Sequence, residues 1–553
     1  MDNTLIKSVR QRFEGMKQDR QKWEKLWKDI RDYTLPDLGI FDGEDSLVGS
    51  ERYRRLVDAE TTHAADVLAA GLLGGVSSPS RPWLRLSTLE PELDKLSEVK
   101  AWLDEVQKTM LMLFAKADVY NQLHQSYLEL PTFGQSCVLC RKHPERVISL
   151  QNLTIGQYWI AEDDFGRVDT LYRRMSLTAK QMVQQWGLEA VSNDVRNAYR
   201  GNPWQKFNVI HAIEPRWERD CTKSDSVNMP FSSVYFEESG TENALSVSGF
   251  RDFPAMCPRW MTLGNSQYGR GPGVKALSAS KSLQQLQTRL ATLVDYLTDP
   301  PWLYPDSLVD MLDQLRPGGR IPASPSEAEI VRPAIQLTAN PQYLIELINA
   351  RKQEIQRMFH VDVFQMLAST TTQTDRTATE VAALEQEKVL MLGPVLERLH
   401  TELLDPLVTT TFSYMVEANR VPPAPEALQG REISVEYISV LAERQKNSSV
   451  EGILRTTQQI GMLAQLDPSV IDKLDKDAVV DTLADMNGVP PSLIVSGQRV
   501  ALIRNARAQQ QQQMEQQQMT AQAVQNMRNM VPVAESQGMQ QALNDGLENI
   551  AGG

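Results

Sequence analysis

The sequence predicts an α+β protein that is predominantly helical. Leucines recur at alternating steps of three and four residues over long stretches, which is the spacing of an amphipathic helix. Short apolar runs before about residue 264 predict strands, whereas the chain after about residue 444 has helical patterns almost throughout. A chain of 553 residues exceeds what one hydrophobic core supports, so we expect roughly three or four subdomains.

The region up to about residue 264 is predicted to mix helices with strands. Its first helix has an apolar stripe between basic and acidic residues, formed by Val9, Phe13, Met16, Trp23, Leu26, Trp27 and Ile30. A second helix is expected at residues 58–73, ended by Gly74-Gly75, and a third at residues 91–116. A short helix follows Thr178. Strands are expected near Cys137, Val147, Tyr158, Val168, Val209, Val234 and Val247.

Residues 268–359 are the most informative stretch of the chain. They begin with a glycine motif, Gly269-Arg270-Gly271-Pro272-Gly273, which is followed by a helix, an excursion and a second helix. Asp299-Pro300-Pro301 ends the first helix, because proline lacks an amide donor and disfavours helix in the residue before it. Asn340-Pro341 starts the second helix with a capping residue and a proline at the first helical position. This layout is more typical of one segment of a ring than of an enzyme pocket.

Each of these two helices is predicted to bury one face. The stripe on the first helix consists of Leu283, Leu286, Leu290, Leu293 and Leu297. On the second helix the residues expected to point inward are Leu344, Ile348, Ile355 and Met358 or Phe359.

The remaining chain is predicted to be a polar loop, a long helix, one strand and further helices. The loop covers residues 365–376 and is rich in threonine. A helix capped by Thr377 and Glu380 follows, with a kink at Gly393-Pro394 and an end beyond Glu417. A strand is expected at residues 432–438. Two later helices are expected at about residues 477–486 and 498–530, the second of which contains a glutamine-rich tract.

Composition and charge restrict the function. The formal charge of −13 argues against a sequence-specific DNA reader, because such proteins neutralise phosphate with a basic patch. It does not exclude a protein past which DNA must slide. No apolar run reaches the length of a membrane span, and the first residues lack the basic and apolar regions of a signal peptide. We therefore expect no membrane partner and a protein made and kept in the cytosol.

Motifs for cofactors and metals are weak. Cys137 and Cys140 form a CxxC pair, but Cys221 and Cys257 are isolated, and residues 136–141 resemble a short buried strand more than a zinc or redox site. The glycine motif is GxGxG rather than GxGxxG, and no Gly-Lys dipeptide supplies a Walker lysine. We therefore predict no cofactor and no metal.

One acidic segment leaves an enzymatic alternative open. Asp164-Phe165-Gly166 matches the kinase metal-binding triplet, but the companion loops are missing, and strand-like neighbours predict a hairpin turn. The alternative is an enzyme of unrecognised type that uses Glu162, Asp163 and Asp164 for metal or acid–base chemistry. A structural adaptor or scaffolding protein is a third possibility.

The order of elements resembles the portal, or head-to-tail connector, of short-tailed bacteriophages. The resemblance rests on residues 265–273 leading into the leucine helix and Asp299-Pro300-Pro301. The N-terminal part agrees, with Trp23-Glu24-Lys25-Leu26-Trp27, residues 33–36, residues 58–75 and Pro82-Trp83-Leu84-Arg85-Leu86. It covers most of residues 1–500, whereas the glutamine-rich tail is not diagnostic of the family.

The resemblance implies a non-enzymatic ring of twelve copies at one capsid vertex of the virion, assembled in the host cytoplasm. Double-stranded DNA would pass through it without sequence-specific contact during packaging and ejection. The implied partners are the terminase large subunit, tail or adaptor proteins, and scaffolding and major capsid proteins. The ring would also nucleate capsid assembly.

The resemblance also implies a domain plan. It gives a wing at 1–272, stem helices at 273–298 and 341–360, a clip at 299–340, a tunnel loop with a long helix and a returning wing strand at 361–443, a crown at 444–497, a barrel helix at 498–530 and a mobile tail at 531–553. The stripe of five leucines would pack neighbouring copies together. Candidates for contact with DNA in the channel are Gln365, Ser369, Thr370, Thr371, Thr372, Gln373, Arg376, Arg351, Lys352 and Arg357. Candidates for docking of the motor or tail on the clip are Arg316, Arg320 and Arg332.

Overall fold

The fold is described from a computed structural model of the chain. The structure describes residues 3–41, 55–90, 92–93, 96–223, 225–239, 243–264, 266–303, 332–333, 341–368, 392–431, 433–437, 455–463, 474–486, 495 and 497–530. The chain divides into two compact units, Met1–Leu93 with Trp102–Gln445, and Asp94–Ala101 with Lys446–Gly553. Among the described helices, none is both long and apolar enough to cross a membrane.

Helices occur throughout the described chain. They are α1 (Asn3–Thr34), α2 (Glu60–Val76), α3 (Ser97–Lys116), α4 (Val119–Phe133), α5 (Ala179–Trp186), α6 (Asn193–Gly201), α7 (Pro272–Thr298), α8 (Pro341–Met358), α9 (Val361–Ala368), α10 (Gly393–Leu399), α11 (Asp405–Glu417), α12 (Lys476–Met486) and α13 (Gly497–Met530). A π-helical turn, His400–Leu404, joins α10 to α11.

The described strands form four small antiparallel sheets. They are β1 (Leu84–Thr88), β2 (Cys137–His143), β3 (Val147–Leu153), β4 (Tyr158–Glu162), β5 (Val168–Thr178), β6 (Lys206–Pro215), β7 (Phe231–Glu237), β8 (Ala244–Phe250), β9 (Ala255–Met256), β10 (Trp302–Leu303), β11 (Arg332–Pro333) and β12 (Ile433–Tyr437). The strand orders are β4-β5-β6-β7-β8, β3-β2-β9, β1-β12 and β10-β11.

Helix α1 buries its apolar stripe against the five-stranded sheet. Phe13 packs edge-on against Trp159 of β4 with ring centroids 4.8 Å apart, and it stacks on Tyr172 of β5 at 5.9 Å. Further along the same stripe, Trp27 and Ile30 join a core shared by α4, both larger sheets and Tyr268. The period of the stripe therefore positions α1 as the sequence predicts.

Several predicted boundaries are confirmed and others are wrong. All seven predicted strands, the leucine helix and the Gln-rich helix are present. Helix α2 is not ended by its glycines, because it continues to Val76, and α3 starts at Ser97 rather than near residue 91. The long helix ends at Glu417 and not beyond it. Its start at Thr377 lies outside the described residues.

Four further elements differ from the sequence prediction. Helix α4 and strand β1 were not predicted. The first residues of the predicted polar loop, up to Ala368, belong to α9. The second long helix ends at Met358, because His360 adopts φ +53°, a left-handed conformation that a continuing helix does not accommodate.

The strand predicted at 432–438 is β12, and it pairs with β1 from the N-terminal region, with Leu86 opposite Val435.

Candidate functional site

The glycine motif lies against the C-terminal turn of α4. A Cβ atom at Gly269, Gly271 or Gly273 would overlap backbone oxygens of residues 131–134. The amide of Gly269 donates to the side-chain oxygen of Gln135 at 3.2 Å. The glycines therefore permit a close approach of two backbone segments, and the motif is a structural joint rather than a phosphate loop.

Tyr268, next to the glycine motif, packs into the hydrophobic core that contains Trp27 and Ile30. Its ring is 1% exposed and packs edge-on against Trp27, with the ring centroids 5.2 Å apart. The centroid of the Trp23 ring lies 6.0 Å from that of Tyr268. The guanidinium carbon of Arg270 lies over the Trp23 ring, 5.3 Å from its centroid. The start of α7 is thereby held against α1.

Helix α7 is buried at its start and exposed at its end. Leu283 is fully buried, and Leu286, Leu290 and Leu293 are half-buried, but Leu297 is 44% exposed. The predicted leucine stripe is present, but its side chains become more exposed towards the C-terminal end of the helix. Val294 and Tyr296 near the same end of α7 are each 43% exposed.

Helix α8 pairs with α7 and shows the same gradient. Ile355 and the following Phe359 are fully buried and Ile348 nearly so, which confirms the predicted inward face. At the opposite end of α8, Tyr343 is 66% exposed and Ile345 37% exposed. We call the paired helices α7 and α8 the helical hairpin.

A polar cluster around Asp58 attaches the helical hairpin to α2. The Gln284 carboxamide accepts the amides of Val57 and Asp58 at 2.7 and 2.8 Å and donates to the Asp58 carbonyl at 2.8 Å. Gln287 donates to Asp58 Oδ2 at 2.6 Å. The Lys352 ammonium from α8 lies 2.8 Å from the same carboxylate. Both helices of the hairpin therefore converge on one carboxylate.

The environment of Asp58 favours its ionised form. Burial by itself raises the pKa of this carboxyl, but hydrogen bonds from Lys352, the Glu60 amide and Gln287 outweigh it and lower the pKa below its usual value. Glu60 adds a second carboxylate 3.7 Å from Lys352 and accepts from Gln356 at 2.7 Å. Thr61 and Ser280 share a buried hydroxyl hydrogen bond of 2.8 Å.

The three cations predicted on α8 have different environments. Lys352 is committed to Asp58 and Glu60. Arg351 forms an ion pair with Glu354 one turn along the same helix. Arg357 is exposed and forms no ion pair within the part of the chain that the structure describes. Arg357 is the member of this set whose charge is available to a ligand.

The helix after α8 packs on α2 through a glycine. A Cβ atom at Gly71 would overlap the ring of Phe364, which is itself 5% exposed. Gln365 lies in α9, one residue further on. The other predicted loop residues, Ser369, Thr370, Thr371, Thr372, Gln373 and Arg376, lie outside the described residues.

Within the predicted clip, the structure describes residues 299–303 and 332–333. Trp302 of β10 pairs with Pro333 of β11, and Leu303 pairs with Arg332. This short ladder brings the beginning and the end of the excursion together. Arg316 and Arg320 lie outside the described residues.

The acidic segment considered for catalysis is a hairpin turn attached to a buried arginine. Asp163 Oδ1 accepts the amides of Phe165 and Arg167 at 2.9 and 2.8 Å, as a turn-forming aspartate does. Glu162 pairs with Arg259, which is 4% exposed and also bonds Glu402 at 2.8 Å. The carboxylates of Glu162 and Asp163 thus make structural contacts, and no group of three or more potential metal ligands occurs among the described residues.

Sequence reasoning missed the residues that position the hairpin. Asp58 precedes a helix and Gln284 stands beside a leucine stripe, so neither has a motif. A weak signal exists, because Ser280 and Gln284 lie four residues apart on the face that buries Leu283. Polar residues on a buried helical face predict a buried polar partner. Cys257, predicted to be isolated, lies with its sulfur 3.4 Å from that of Cys137.

A protein-family model matches most of the chain. Residues 6–495 match the family described as bacteriophage head to tail connecting protein. Among curated proteins, the probable portal protein of Bordetella phage BPP-1 is 42% identical over 516 residues, which cover 92% of each chain. The portal protein of Salmonella phage epsilon15 is 36% identical over 552 residues, covering 99% of this chain and 98% of the relative.

Solved structures give more distant likenesses. The neck of an empty gene transfer agent particle has a TM-score of 0.38 at 12% identity, over 76% of this chain and 90% of the other. The virion of a native gene transfer agent particle has a TM-score of 0.30 at 11% identity, over 71% of this chain and 94% of the other.

Proposed function

The chain belongs to the family of bacteriophage head-to-tail connecting proteins, and from this membership we propose that twelve copies form a ring through which the phage genome is packaged and ejected. Members of this family are structural portal proteins of the virion and not enzymes. The observation that carries the proposal is a family match over residues 6–495 in a chain whose helical hairpin exposes large apolar side chains.

The helical hairpin is our candidate for the stem of the ring. In a closed ring each contact is heterologous, so one face of the hairpin meets a different face of the neighbouring copy. The exposed Leu297, Val294 and Tyr296 of α7 and Tyr343 of α8 are suited to such a contact, because burying large apolar side chains stabilises association. Leu283 is already buried within one copy, so the predicted stripe divides between internal packing and packing in the ring.

The stem would also line part of the channel. Helix α7 has 27 residues, which corresponds to a length of about 40 Å. Arg357 is the leading candidate for weak, sequence-independent contact with DNA, because its charge is exposed and unpaired in the described structure. Lys352 and Arg351 remain candidates whose charges are partly neutralised by Asp58 and Glu354.

The other regions take the remaining roles of a portal in this proposal. The sheets and helices before residue 272 would form the wing, and β12 would return the chain to it through β1. Residues 299–340, including Arg316, Arg320 and Arg332, would form the clip that docks the terminase large subunit and tail or adaptor proteins. Residues 369–376 would form the tunnel loop, and α12 and α13 would belong to the crown and barrel. Scaffolding and major capsid proteins would contact the ring during assembly in the host cytoplasm.

Electron microscopy of the purified full-length protein tests this function, with rings of about twelve subunits around a central hole as the expected result. Leu290→Asp combined with Leu297→Asp should prevent ring formation, because unpaired charge would be buried between copies. Gln285→Asp on the exposed face of the same helix is the matched control and should leave rings intact. A wild-type protein that remains a compact monomer at high concentration, or rings that survive the double substitution, would contradict the proposed stem.

A further inference from the structure

A row of buried polar residues crosses one face of the five-stranded sheet. Arg173 of β5 is paired with His211 of β6, and His211 is paired with Tyr235 of β7. Arg173 is 1% exposed and His211 is fully buried. The His211 ring stacks on Tyr235 with 3.8 Å between the centroids. A permanently charged guanidinium is thus buried in a row that has no acidic member.

The histidine in this row does not supply a negative charge and does not carry a positive one. Arg173 Nε donates to His211 Nδ1 at 3.0 Å, so Nδ1 is unprotonated. Nε2 then carries the proton and donates to Ser233 Oγ at 2.9 Å. Burial, together with the charges of Arg173 and Arg141, lowers the pKa of His211 well below its usual value. The ring is therefore a neutral acceptor for Arg173.

Arg141, on strand β2 of the three-stranded sheet, contacts the same side chain as Arg173. Gln151 Oε1 accepts from Arg173 Nη1 at 3.0 Å and from Arg141 Nη2 at 3.4 Å. Two guanidinium groups therefore share one neutral oxygen. Arg173 Nη2 and Arg141 Nε are buried without a hydrogen-bond partner. Neither arginine has an ion pair with any carboxylate among the described residues.

Two other deeply buried arginines, Arg20 and Arg259, each form an ion pair with a carboxylate. Arg20 is bonded to Glu24 at 2.8 Å, and Arg259 is bonded to Glu402 at the same distance. A buried charge normally requires such a partner, because desolvation without compensation is costly. Arg141 and Arg173 converge on neutral acceptors instead of a carboxylate, and this exception calls for an anionic partner.

We propose that Arg141 and Arg173 form a binding site for one oxyanion group, a phosphate or a carboxylate, that takes the position of the Gln151 amide oxygen. Gln151 belongs to an exposed position of β3, so its side chain can turn aside into solvent. The planar guanidinium groups then present their free N–H donors to the oxygens of the anion, which is the preferred geometry for both ligand types. The anion comes either from free phosphate in solution or from a carboxylate on a second copy of this chain.

The test uses the full-length protein and inorganic phosphate as the probe. Thermal unfolding is followed as phosphate replaces chloride at constant pH and ionic strength. Binding of free phosphate should raise the Tm of the wild type by about 2–4 °C. Arg141→Gln should abolish this rise. Gln151→Glu should raise the Tm in chloride and remove the response to phosphate, because the carboxylate then occupies the site.

Two control variants make the same chemical changes elsewhere. Arg12→Gln removes a guanidinium that already has a carboxylate partner, Glu214, and Gln205→Glu adds a carboxylate at an exposed position. Both should retain the phosphate response of the wild type.

The source of the anion is distinguished by assembly. If a second copy provides a carboxylate, phosphate leaves the Tm of the unassembled chain unchanged, and Arg141→Gln weakens self-association at least tenfold in sedimentation experiments. Gln151→Glu should then weaken self-association as well, since the two carboxylates compete. A phosphate response that survives Arg141→Gln, or an Arg141→Gln variant without effect on either the phosphate response or self-association, overturns the proposal.

Discussion

The ammonium nitrogen of Lys352 lies 2.8 Å from Oδ2 of Asp58, two residues that are far apart in the chain. Asp58 precedes α2, whereas Lys352 belongs to the second helix of the hairpin. Gln287 of the first helix donates to the same oxygen. One carboxylate therefore holds three elements together at the base of the proposed stem.

Removing this carboxylate should loosen the base of the hairpin. Asp58→Asn should lower the free energy of unfolding by about 2 kcal/mol, because Lys352 loses its nearer carboxylate partner in a partly buried site. Arg351→Met is the matched control, since its pair with Glu354 is more exposed and worth about 0.5 kcal/mol or less. Urea unfolding of both variants measures the difference. Equal effects of the two substitutions would show that Asp58 has no special role.

The same residue predicts an acid sensitivity. The folded pKa of Asp58 lies below its unfolded value, so its stabilisation is present above about pH 4 and is lost as the pH falls through the folded pKa. The stability difference between wild type and Asp58→Asn should therefore shrink between pH 6 and pH 3. A difference that stays constant over this range would contradict an ionised Asp58.

A methyl group in the glycine joint should destabilise the protein far more than a methyl group at an exposed position of a helix. Gly273→Ala places a Cβ atom against the Thr132 backbone, which has no flexible end to move aside, and should destabilise the protein by more than about 3 kcal/mol. Gly74→Ala introduces the same group where nothing lies within 4 Å, and it should stabilise α2 by up to about 1 kcal/mol. Thermal unfolding separates the two. Similar changes in Tm would mean that the close approach is absent in solution.

A buried acid on α4 predicts that stability depends on pH between the unfolded and the folded pKa of this residue. Burial raises the pKa of Glu129 to about 8, although hydrogen bonds from Thr154 and the Ile155 amide act in the opposite direction. Because the folded pKa is above the unfolded one, stability is lost as the pH rises from about 4.5 to 8. Glu129→Gln should remove this loss.

The comparison is best made at two pH values. At pH 9 Glu129→Gln should be more stable than the wild type by on the order of 2 kcal/mol, and at pH 5 the difference should be much smaller. Glu98→Gln on an exposed turn of α3 is the control and should show no such trend. A difference of equal size at both pH values would contradict a neutral Glu129 in the folded protein.

The proposed tunnel loop can be tested separately from ring formation. Deletion of residues 369–374 should leave rings intact but reduce the length or retention of packaged DNA, because the loop would sit at the narrowest point. A Gly-Ser segment of the same length separates the effect of length from that of the threonine and glutamine side chains. Normal packaged length and retention after deletion would exclude a role as a gate.

Local sequence patterns predicted those helices whose buried face repeats with the same period as their apolar residues. The apolar stripe of α1 and the end of α7 at Asp299 come from residues near one another in the chain. The predicted stop at Gly74-Gly75 fails because α2 is held by its neighbours, with Gly71 against Phe364. Helix α4 was missed although its buried face is apolar, because Pro131 and Gly134 favour a turn interpretation.

The sequence by itself determined the family and the type and order of most helices and strands, because these depend on spacing and on turn residues. Only the tertiary structure decided which charges are neutralised and which are free. Asp58 meets Lys352, Arg259 meets Glu402, and Arg141 and Arg173 meet no carboxylate in the described chain. Such pairings join positions that are distant in sequence, and chain folding rather than local propensity brings them into contact.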